Sequence, residues 1–264
     1  MATQNGVNIS NLNAIQRFVD YETNENYILR FTLIMPIVTT YGDPYLIIRK
    51  VPKNFLEMED LVKENFLPQK LADTLIERFR TGSTLICGGN SDGKTTLLNA
   101  LKETLPEDMS VMVVQQADEL TTKRHPDMIF LHSLSESAES AVTYDLEKLS
   151  IASLTMDVDF VIVGEVKGAE ALYLINAAYT GQLSAATVHS LSADTAAEKI
   201  VDYALQASQN MYTPAELLKM IASCYHTIIN VKDYKVYEVL AIDGWEKGEK
   251  KDELTIKYKT LYHL

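Results

Sequence analysis

The sequence predicts an α/β fold with a mostly parallel sheet, preceded by a short α+β unit and followed by β-hairpins. Three features carry this prediction. Short, wholly apolar segments alternate with helical segments through the middle of the chain, as in a parallel sheet that is covered on both faces. A Gly-rich loop joins one of these apolar segments to a helix. Three strand-like segments end the chain with no helical pattern between them.

The N-terminal part carries the pattern of a small β unit. Residues 1–28 show weak patterning, and two strand-like runs follow, Phe31–Val38 and Tyr45–Arg49, separated by a Gly-Asp-Pro turn signal. We therefore expect residues 1–54 to form a partial N-terminal domain and residues 55–264 to form the domain that contains the parallel sheet.

Helices and strands alternate through the second part of the chain. The predicted helices are Leu56–Lys63, Pro68–Arg80, Thr96–Glu103, Tyr144–Leu154, Ala169–Tyr179, Ala193–Gln206 and one that begins at Thr213. The predicted strands are Ser83–Cys87, Val111–Val114, Met128–Leu131, Val158–Val163, Leu183–Val188, Tyr225–Val231, Val236–Ile242 and Leu254–Tyr258. A Ser-rich stretch at 133–140 predicts a mobile loop.

The composition limits the function classes. The chain has 264 residues, enough for one large domain or two small ones, and 47% of them are hydrophobic. Its 24 basic and 36 acidic residues give a formal net charge of −12. This charge disfavours a duplex-DNA binder, because such a protein needs a dense cationic surface. We therefore expect no direct nucleic-acid partner.

Cysteine usage and hydropathy bear on the compartment. Cys87 and Cys224 form neither a metal-binding pattern nor a disulfide framework, which suits a reducing environment. No apolar run reaches the roughly 20 residues that cross a bilayer, and the polar N-terminus is unlike a signal peptide. These features predict a cytoplasmic protein, which is compatible with docking on a membrane-embedded partner.

A phosphate-binding loop follows the strand Ser83–Cys87. The segment Gly88-Gly89-Asn90-Ser91-Asp92-Gly93-Lys94-Thr95 matches the pattern G-x-x-x-x-G-K-[ST] at each fixed position. The glycines allow backbone N–H groups to point at phosphate oxygens, and the helix that starts there favours an anion. We expect Lys94 to reach the β- and γ-phosphates of ATP and the Thr95 hydroxyl to ligate Mg²⁺.

Asp92 is the unexpected residue of this loop. A carboxylate inside an anion-binding cradle should weaken phosphate binding. The exception would be a carboxylate that points to solvent or to a cation. The sequence alone does not say where this side chain points.

Further candidates follow predicted strands, at the sheet edge where open parallel sheets bind ligands. Glu165 follows the apolar run Val161–Val163 and is expected near Mg²⁺ or the attacking water. Glu119 lies past the strand Val111–Val114 and could orient or deprotonate that water, but spacing alone favours Asp118 equally. His189 follows the strand Leu183–Val188 and is either a sensor of the γ-phosphate or a structural histidine.

Taken together, these residues resemble the type II/type IV secretion ATPase superfamily, and they look nearest to the ATPases of tight-adherence pilus assembly. Five blocks appear in the order of that family, from roughly residue 30 to the end of the chain. They are Arg30–Pro36 with Ile48–Pro52, the Walker A block Gly88–Thr96 with Leu97–Leu101, the acidic box Gln115–Leu120, the Walker B block Val161–Gly168 and the histidine block Thr180–Ser190.

The resemblance implies a RecA-like core and a hexameric ring motor on the cytoplasmic face of a secretion or pilus machine. In such motors, ATP hydrolysis between subunits moves an inner-membrane platform protein. The resemblance also implies that Arg30 and Arg49 reach a nucleotide bound between subunits, and it extends the nucleotide-binding block to Thr96. It points to Glu119 as the catalytic glutamate, to Glu165 as the Walker B carboxylate and to His189 as the γ-phosphate sensor.

Several positions depart from the family pattern. Gln115 and Gln116 stand where the acidic box usually begins with two acids, and Asp92 replaces a small loop residue. Gln182 replaces the first family histidine, and Lys167 replaces the Walker B arginine, which binds a carboxylate in a bidentate way that lysine does not.

Two function hypotheses follow from the motifs and the departures. The first is an active motor that couples Mg-ATP hydrolysis to assembly or export. The second is a nucleotide-binding scaffold or regulatory subunit with little turnover, which the two glutamines and Asp92 motivate. A nucleic-acid motor built on the same core is disfavoured by the net charge.

Overall fold

The computed structural model describes residues 14–134, 143–207, 211–248 and 254–264. The chain divides into two compact units: Met1–Phe55 with Leu134–Thr143, and Leu56–Ser133 with Tyr144–Leu264. Most of the Ser-rich stretch at 133–140 lies outside the described residues. The assignment of the expected domains remains a prediction.

The first unit contains a three-stranded antiparallel sheet. Its strands are β1 (Ile15–Asp20), β2 (Tyr27–Ile34) and β3 (Tyr45–Pro52), in the order β1-β2-β3. The rings of Phe18 and Phe31 stack across β1 and β2 with centroids 4.7 Å apart. Weak patterning in residues 1–28 did not predict β1, because this six-residue strand buries only Phe18 and Asp20.

The predicted strand Phe31–Val38 is wrong at its C-terminal end. The strand ends at Ile34, and Pro36–Val38 form a short 3₁₀ turn instead. Proline fixes φ and has no N–H to donate to a neighbouring strand, so an apolar run that continues through Pro36 cannot continue the ladder.

The second unit contains seven helices and eight strands among the described residues. The helices are α1 (Met58–Lys63), α2 (Gln69–Thr81), α3 (Lys94–Lys102), α4 (Leu146–Ser153), α5 (Glu170–Tyr179), α6 (Ala196–Ala207) and α7 (Pro214–Cys224). The strands are β4 (Ser83–Gly88), β5 (Val111–Gln115), β6 (Met128–His132), β7 (Phe160–Val166), β8 (Leu183–His189), β9 (Tyr225–Lys232), β10 (Lys235–Lys247) and β11 (Leu254–His263).

These strands form one sheet in the order β11-β10-β9-β4-β8-β7-β5-β6. All pairs from β9 to β6 are parallel, and β9, β10 and β11 are joined as antiparallel hairpins. The predicted α/β class, with a mostly parallel sheet and terminal hairpins, is therefore confirmed.

The sheet is covered on both faces, as its apolar strands predict. Leu85 and Cys87 of β4 belong to the core cluster that also contains side chains of α4 to α7. Ile86, which points to the opposite face, belongs to the cluster with side chains of α1 to α3. This arrangement leaves the carboxyl ends of the parallel strands as the edge where a ligand can bind. Among the described residues, no helix has the length and apolar character needed to cross a membrane.

Candidate functional site

The phosphate loop connects β4 to α3 at the carboxyl edge of the sheet. Gly93 has φ of 100°, and a Cβ there would lie 2.9 Å from the ring of Phe66. A Cβ on Gly88 would overlap the carbonyl oxygen of Val231. Gly93 is therefore required by its backbone conformation and by close packing, and Gly88 is required by close packing. The two fixed glycines of the motif permit the curled backbone that directs N–H groups at an anion.

Lys94 is the first residue of α3, and its side chain turns back along the loop. Its Nζ donates to the carbonyl oxygen of Gly89 at 2.5 Å and lies 3.2 Å from Nδ1 of His189. Burial lowers the pKa of Lys94, while the charges of Glu165 and Asp92 act in the opposite direction. The ammonium group is thus held beside the loop and within reach of the strand-end residues.

Asp92 is engaged by backbone donors, which resolves where its side chain points. Its Oδ2 accepts from the N–H of Gly89 at 2.6 Å, and its Oδ1 accepts a longer bond of 3.4 Å from the N–H of Asp233. The backbone oxygen of Asp92 accepts from the N–H of Tyr234 at 3.0 Å. The carboxylate therefore closes the loop and joins it to the β9–β10 turn.

Glu165 meets His189 and Lys167 at the end of β7. One carboxylate oxygen, Oε1, contacts Nε2 of His189, and the other lies 2.7 Å from Nζ of Lys167. Among the described residues, the buried Oε1 has no hydrogen-bond partner despite this contact. His189 itself is the register partner of Gly88 across β8 and β4. The fold thus brings Lys94, His189 and Glu165 together, and their roles stay predictions.

The candidate Mg²⁺ ligands Thr95 and Glu165 fit a site that shares its metal with a substrate. Mg²⁺ in phosphate-transfer sites takes one or two protein oxygens, with phosphate oxygens and water completing its shell. Within the described ranges, no group of three His, Cys, Asp or Glu side chains forms a metal-binding cluster. The buried oxygen of Glu165 that lacks a hydrogen bond supplies the kind of hard acceptor that such a metal needs.

Gln115 holds the backbone of the acidic box. Its side chain is only 3% exposed. Its Oε1 accepts from the N–H groups of Glu119 at 3.1 Å and Leu120 at 2.9 Å, and its Nε2 donates to the carbonyl oxygen of Leu120 at 3.2 Å. An ionised carboxylate has no proton for this last bond. The amide of Gln115 therefore holds the backbone of Glu119 and Leu120 through both a donor and an acceptor.

Gln116 and Lys167, two of the departures from the family pattern, contact each other. Oε1 of Gln116 accepts from Nζ of Lys167 at 3.2 Å, and the same Nζ pairs with Glu165. A neutral amide at Gln116 does not compete as a second anion for this ammonium group. The charge of Lys167 is therefore directed to Glu165.

Asp118 and Glu119 make contacts with different parts of the fold. Oδ1 of Asp118 lies 3.1 Å from Nδ1 of His132, at the end of β6. Glu119 is fixed through its backbone, because its N–H donates to Gln115 and its carbonyl oxygen accepts from Nδ2 of Asn99 at 3.3 Å. Asn99 was not a candidate from the sequence, and its only signal was its place in α3 just after the phosphate loop.

Gln182, which replaces the first family histidine, lies at the other edge of the sheet. Its Nε2 donates to the carbonyl oxygen of Val158, just before β7, and Gln182 itself precedes β8. Because both strands start there, Gln182 is remote from the phosphate loop of its own unit.

Arg30 and Arg49 lie in the sheet of the first unit, where they are direct register partners on β2 and β3. Directly opposed residues of an antiparallel pair point to the same face. Two positive charges in this arrangement repel each other.

The sequence of this chain is similar to those of known proteins. A family model described as "Type II/IV secretion system protein" matches residues 20–233. A Mycobacterium tuberculosis protein (strain ATCC 25618 / H37Rv) whose name assigns it to conjugal transfer is 37% identical over 107 residues, which is 40% of this chain and 30% of that protein. Conjugal transfer protein TrbB of Rhizobium radiobacter is 25% identical over 237 residues, covering 84% of this chain and 66% of TrbB. This chain thus matches less than a third of the mycobacterial relative.

Solved structures share the fold. The VirB11 ATPase of the Brucella suis type IV secretion system, in complex with sulphate, aligns with a TM-score of 0.54 at 17% identity, over 99% of this chain and 77% of that one. The pilus retraction motor PilT with bound ADP aligns with a TM-score of 0.60 at 19% identity, over 95% of this chain and 63% of that one. At these identities the likeness confirms the α/β architecture alone.

Proposed function

The chain belongs to the type II/IV secretion system protein family, and we propose that it is an Mg²⁺-dependent ATPase that drives a secretion or pilus assembly machine. This proposal rests on two contacts beside the phosphate loop. Lys94 contacts His189, and His189 contacts Glu165. They place a cation, a hydrogen-bonding group and a carboxylate around one end of a loop that fits phosphates. The fold of the relatives that are named as ATPases supports it.

In the proposed reaction, water attacks the γ-phosphorus of ATP, and ADP and inorganic phosphate leave. The loop N–H groups and Lys94 bind the phosphates and stabilise the charge that develops on them. Thr95 and Glu165 would hold Mg²⁺, which would supply positive charge to neutralise the phosphates. Glu119 orients the attacking water or accepts its proton, and His189 hydrogen-bonds the γ-phosphate.

The proposed working form is a homo-oligomer, in the first instance a hexamer, at the cytoplasmic face of the cell membrane. Arg30 and Arg49, which are register partners on β2 and β3, would reach a nucleotide held by a neighbouring copy. The proposed partner is an inner-membrane platform protein, so the association with the membrane is peripheral. No direct nucleic-acid partner is proposed.

A second candidate is a nucleotide-binding scaffold or regulatory subunit with weak turnover. The contacts of Glu165 favour it, because one oxygen pairs with Lys167 and the other touches His189. The positive charge of Lys167 beside this carboxylate opposes a divalent cation there. The two candidates therefore differ in turnover and agree on nucleotide binding.

Steady-state release of phosphate separates these candidates. The wild-type protein, Lys94→Ala and Glu165→Gln are assayed with Mg-ATP, and ATP binding is measured on the same preparations. The motor proposal expects Lys94→Ala to lose binding and Glu165→Gln to bind ATP but lose turnover by at least ~100-fold. Wild-type binding without release above the Lys94→Ala control would reject the enzyme and select the scaffold.

The dependence of turnover on protein concentration tests the oligomer. Turnover should rise more steeply than linearly with concentration, because each site needs a neighbour's arginines. Particle sizing with and without a non-hydrolysable ATP analogue gives the subunit number. A strictly linear response over a wide concentration range, with an unchanged particle size, would contradict a site shared between subunits.

A further inference from the structure

The turn between β9 and β10 holds an aromatic residue in a strained conformation. Asp233 and Tyr234 have φ of 50° and 57°. Hairpin turns of this left-handed kind favour Asn-Gly or Asp-Gly, because a bulky side chain at positive φ is disfavoured. Glycine at position 234 would be the less strained choice, yet the chain has tyrosine, and 58% of it is exposed. Strain retained at an exposed position suggests a role outside folding.

This tyrosine lies directly against the phosphate loop. Its N–H donates to the carbonyl oxygen of Asp92 at 3.0 Å, and its Cδ1 would lie 3.1 Å from a Cβ built on Gly93. Oδ1 of Asp92 also accepts a hydrogen bond from the N–H of Asp233, and its Oδ2 accepts one from the N–H of Gly89. Asp92 therefore holds the backbone of the β9–β10 turn beside the start of α3.

The order of the sheet decides which end of a nucleotide would face this ring. Strand β4 lies between β8 and β9, and β7 lies beyond β8. His189 ends β8 and Glu165 lies at the end of β7. The γ-phosphate must face these groups if they are to act on it. The nucleoside part of ATP then extends from the loop towards the opposite side, over β9 and the β9–β10 turn.

We propose that Tyr234 is a nucleobase-binding residue whose ring forms the wall against which the base of ATP stacks. This inference rests on the proposed function of the loop. Bases stack on exposed tyrosine rings through their π faces, and such contacts contribute substantially to nucleotide affinity. The strain of the turn is thus the cost of placing an aromatic ring, instead of glycine, next to the loop.

The test compares ligands with and without a base. Calorimetric titration measures the dissociation constants of Mg-ATP and of Mg-tripolyphosphate, which has the phosphates alone. The variants are Tyr234→Gly, Tyr234→Phe and the control Tyr237→Ala, which removes a nearby tyrosine whose ring contacts His263. Thermal unfolding of each variant is recorded in parallel.

Tyr234→Gly should weaken Mg-ATP about tenfold and leave Mg-tripolyphosphate within about twofold. Because glycine accepts positive φ, the same variant should unfold at a temperature that is equal or a few degrees higher. Tyr234→Phe keeps the ring and should retain ATP affinity, as should Tyr237→Ala. Lower affinity combined with unimpaired stability cannot come from misfolding.

Two results would overturn the inference. Unchanged ATP affinity in Tyr234→Gly would show that the ring does not contact the base. An equal loss for ATP and tripolyphosphate would show that the turn acts only on the phosphate loop. Failure of the wild-type protein to bind either ligand would instead reject the proposed function itself, so the two failures are distinguishable.

Discussion

Replacing Gln115 with glutamate would restore the first acid of the acidic box, and we expect it to destabilise the protein. The side chain is buried, and its amide donates to the carbonyl oxygen of Leu120 while its oxygen accepts from two backbone N–H groups. Gln115→Glu removes the donor and places a carboxylate oxygen against that carbonyl oxygen, originally 3.2 Å from Nε2.

The size of the effect follows from these bonds. A buried acceptor that loses its partner costs about 1–3 kcal/mol, and repulsion between the two oxygens adds to this cost. Stronger bonds from the N–H groups of Glu119 and Leu120 to a charged acceptor offset part of it. A net loss of about 2 kcal/mol corresponds to a melting temperature lower by roughly 5 °C for a chain of this size.

The assay is thermal and urea unfolding of wild type, Gln115→Glu and the matched control Gln116→Glu. Gln116 is exposed and faces Nζ of Lys167, so an acid there should change stability by less than ~1 kcal/mol. Burial and the carbonyl oxygen of Leu120 raise the pKa of the new carboxyl in the folded state, and its protonation restores a donor at position 115. The deficit of Gln115→Glu should therefore shrink as pH falls from ~8 to ~5. Equal stability of the two variants at high pH would refute this reasoning.

Two further predictions concern the acidic box and the thiols. Glu119→Gln should lower phosphate release by at least ~100-fold. Asp118→Asn, which changes the carboxylate that contacts His132, should stay within about twofold. Equal losses in both variants would contradict the assignment of Glu119. Burial raises the pKa of Cys87 and of Cys224 to about 12. A disulfide reagent at pH ~8 should therefore modify the native protein slowly and label both thiols in denaturant. Fast labelling of the native protein would count against this burial.

The fold was predictable where local pattern and tertiary environment agree. The apolar segments that became β4, β5, β7 and β8 are buried on both faces, so their composition alone indicated a parallel sheet. Prediction was weaker in the first unit, where β1 buries few side chains. It was wrong after Ile34, where Pro36 overrides an apolar run that continues to Val38.

The sequence by itself determined the phosphate loop, because its glycines, Lys94 and Thr95 act through the local backbone of one strand, one turn and one helix. It also determined the family, through motifs in a fixed order. Contacts between distant segments were decided only by the tertiary structure. Asp92 meets the β9–β10 turn, and Gln116 meets Lys167, across 141 and 51 residues of chain respectively. The direction of a side chain within a loop depends on which segments the sheet brings beside it, and local sequence carries no signal for that.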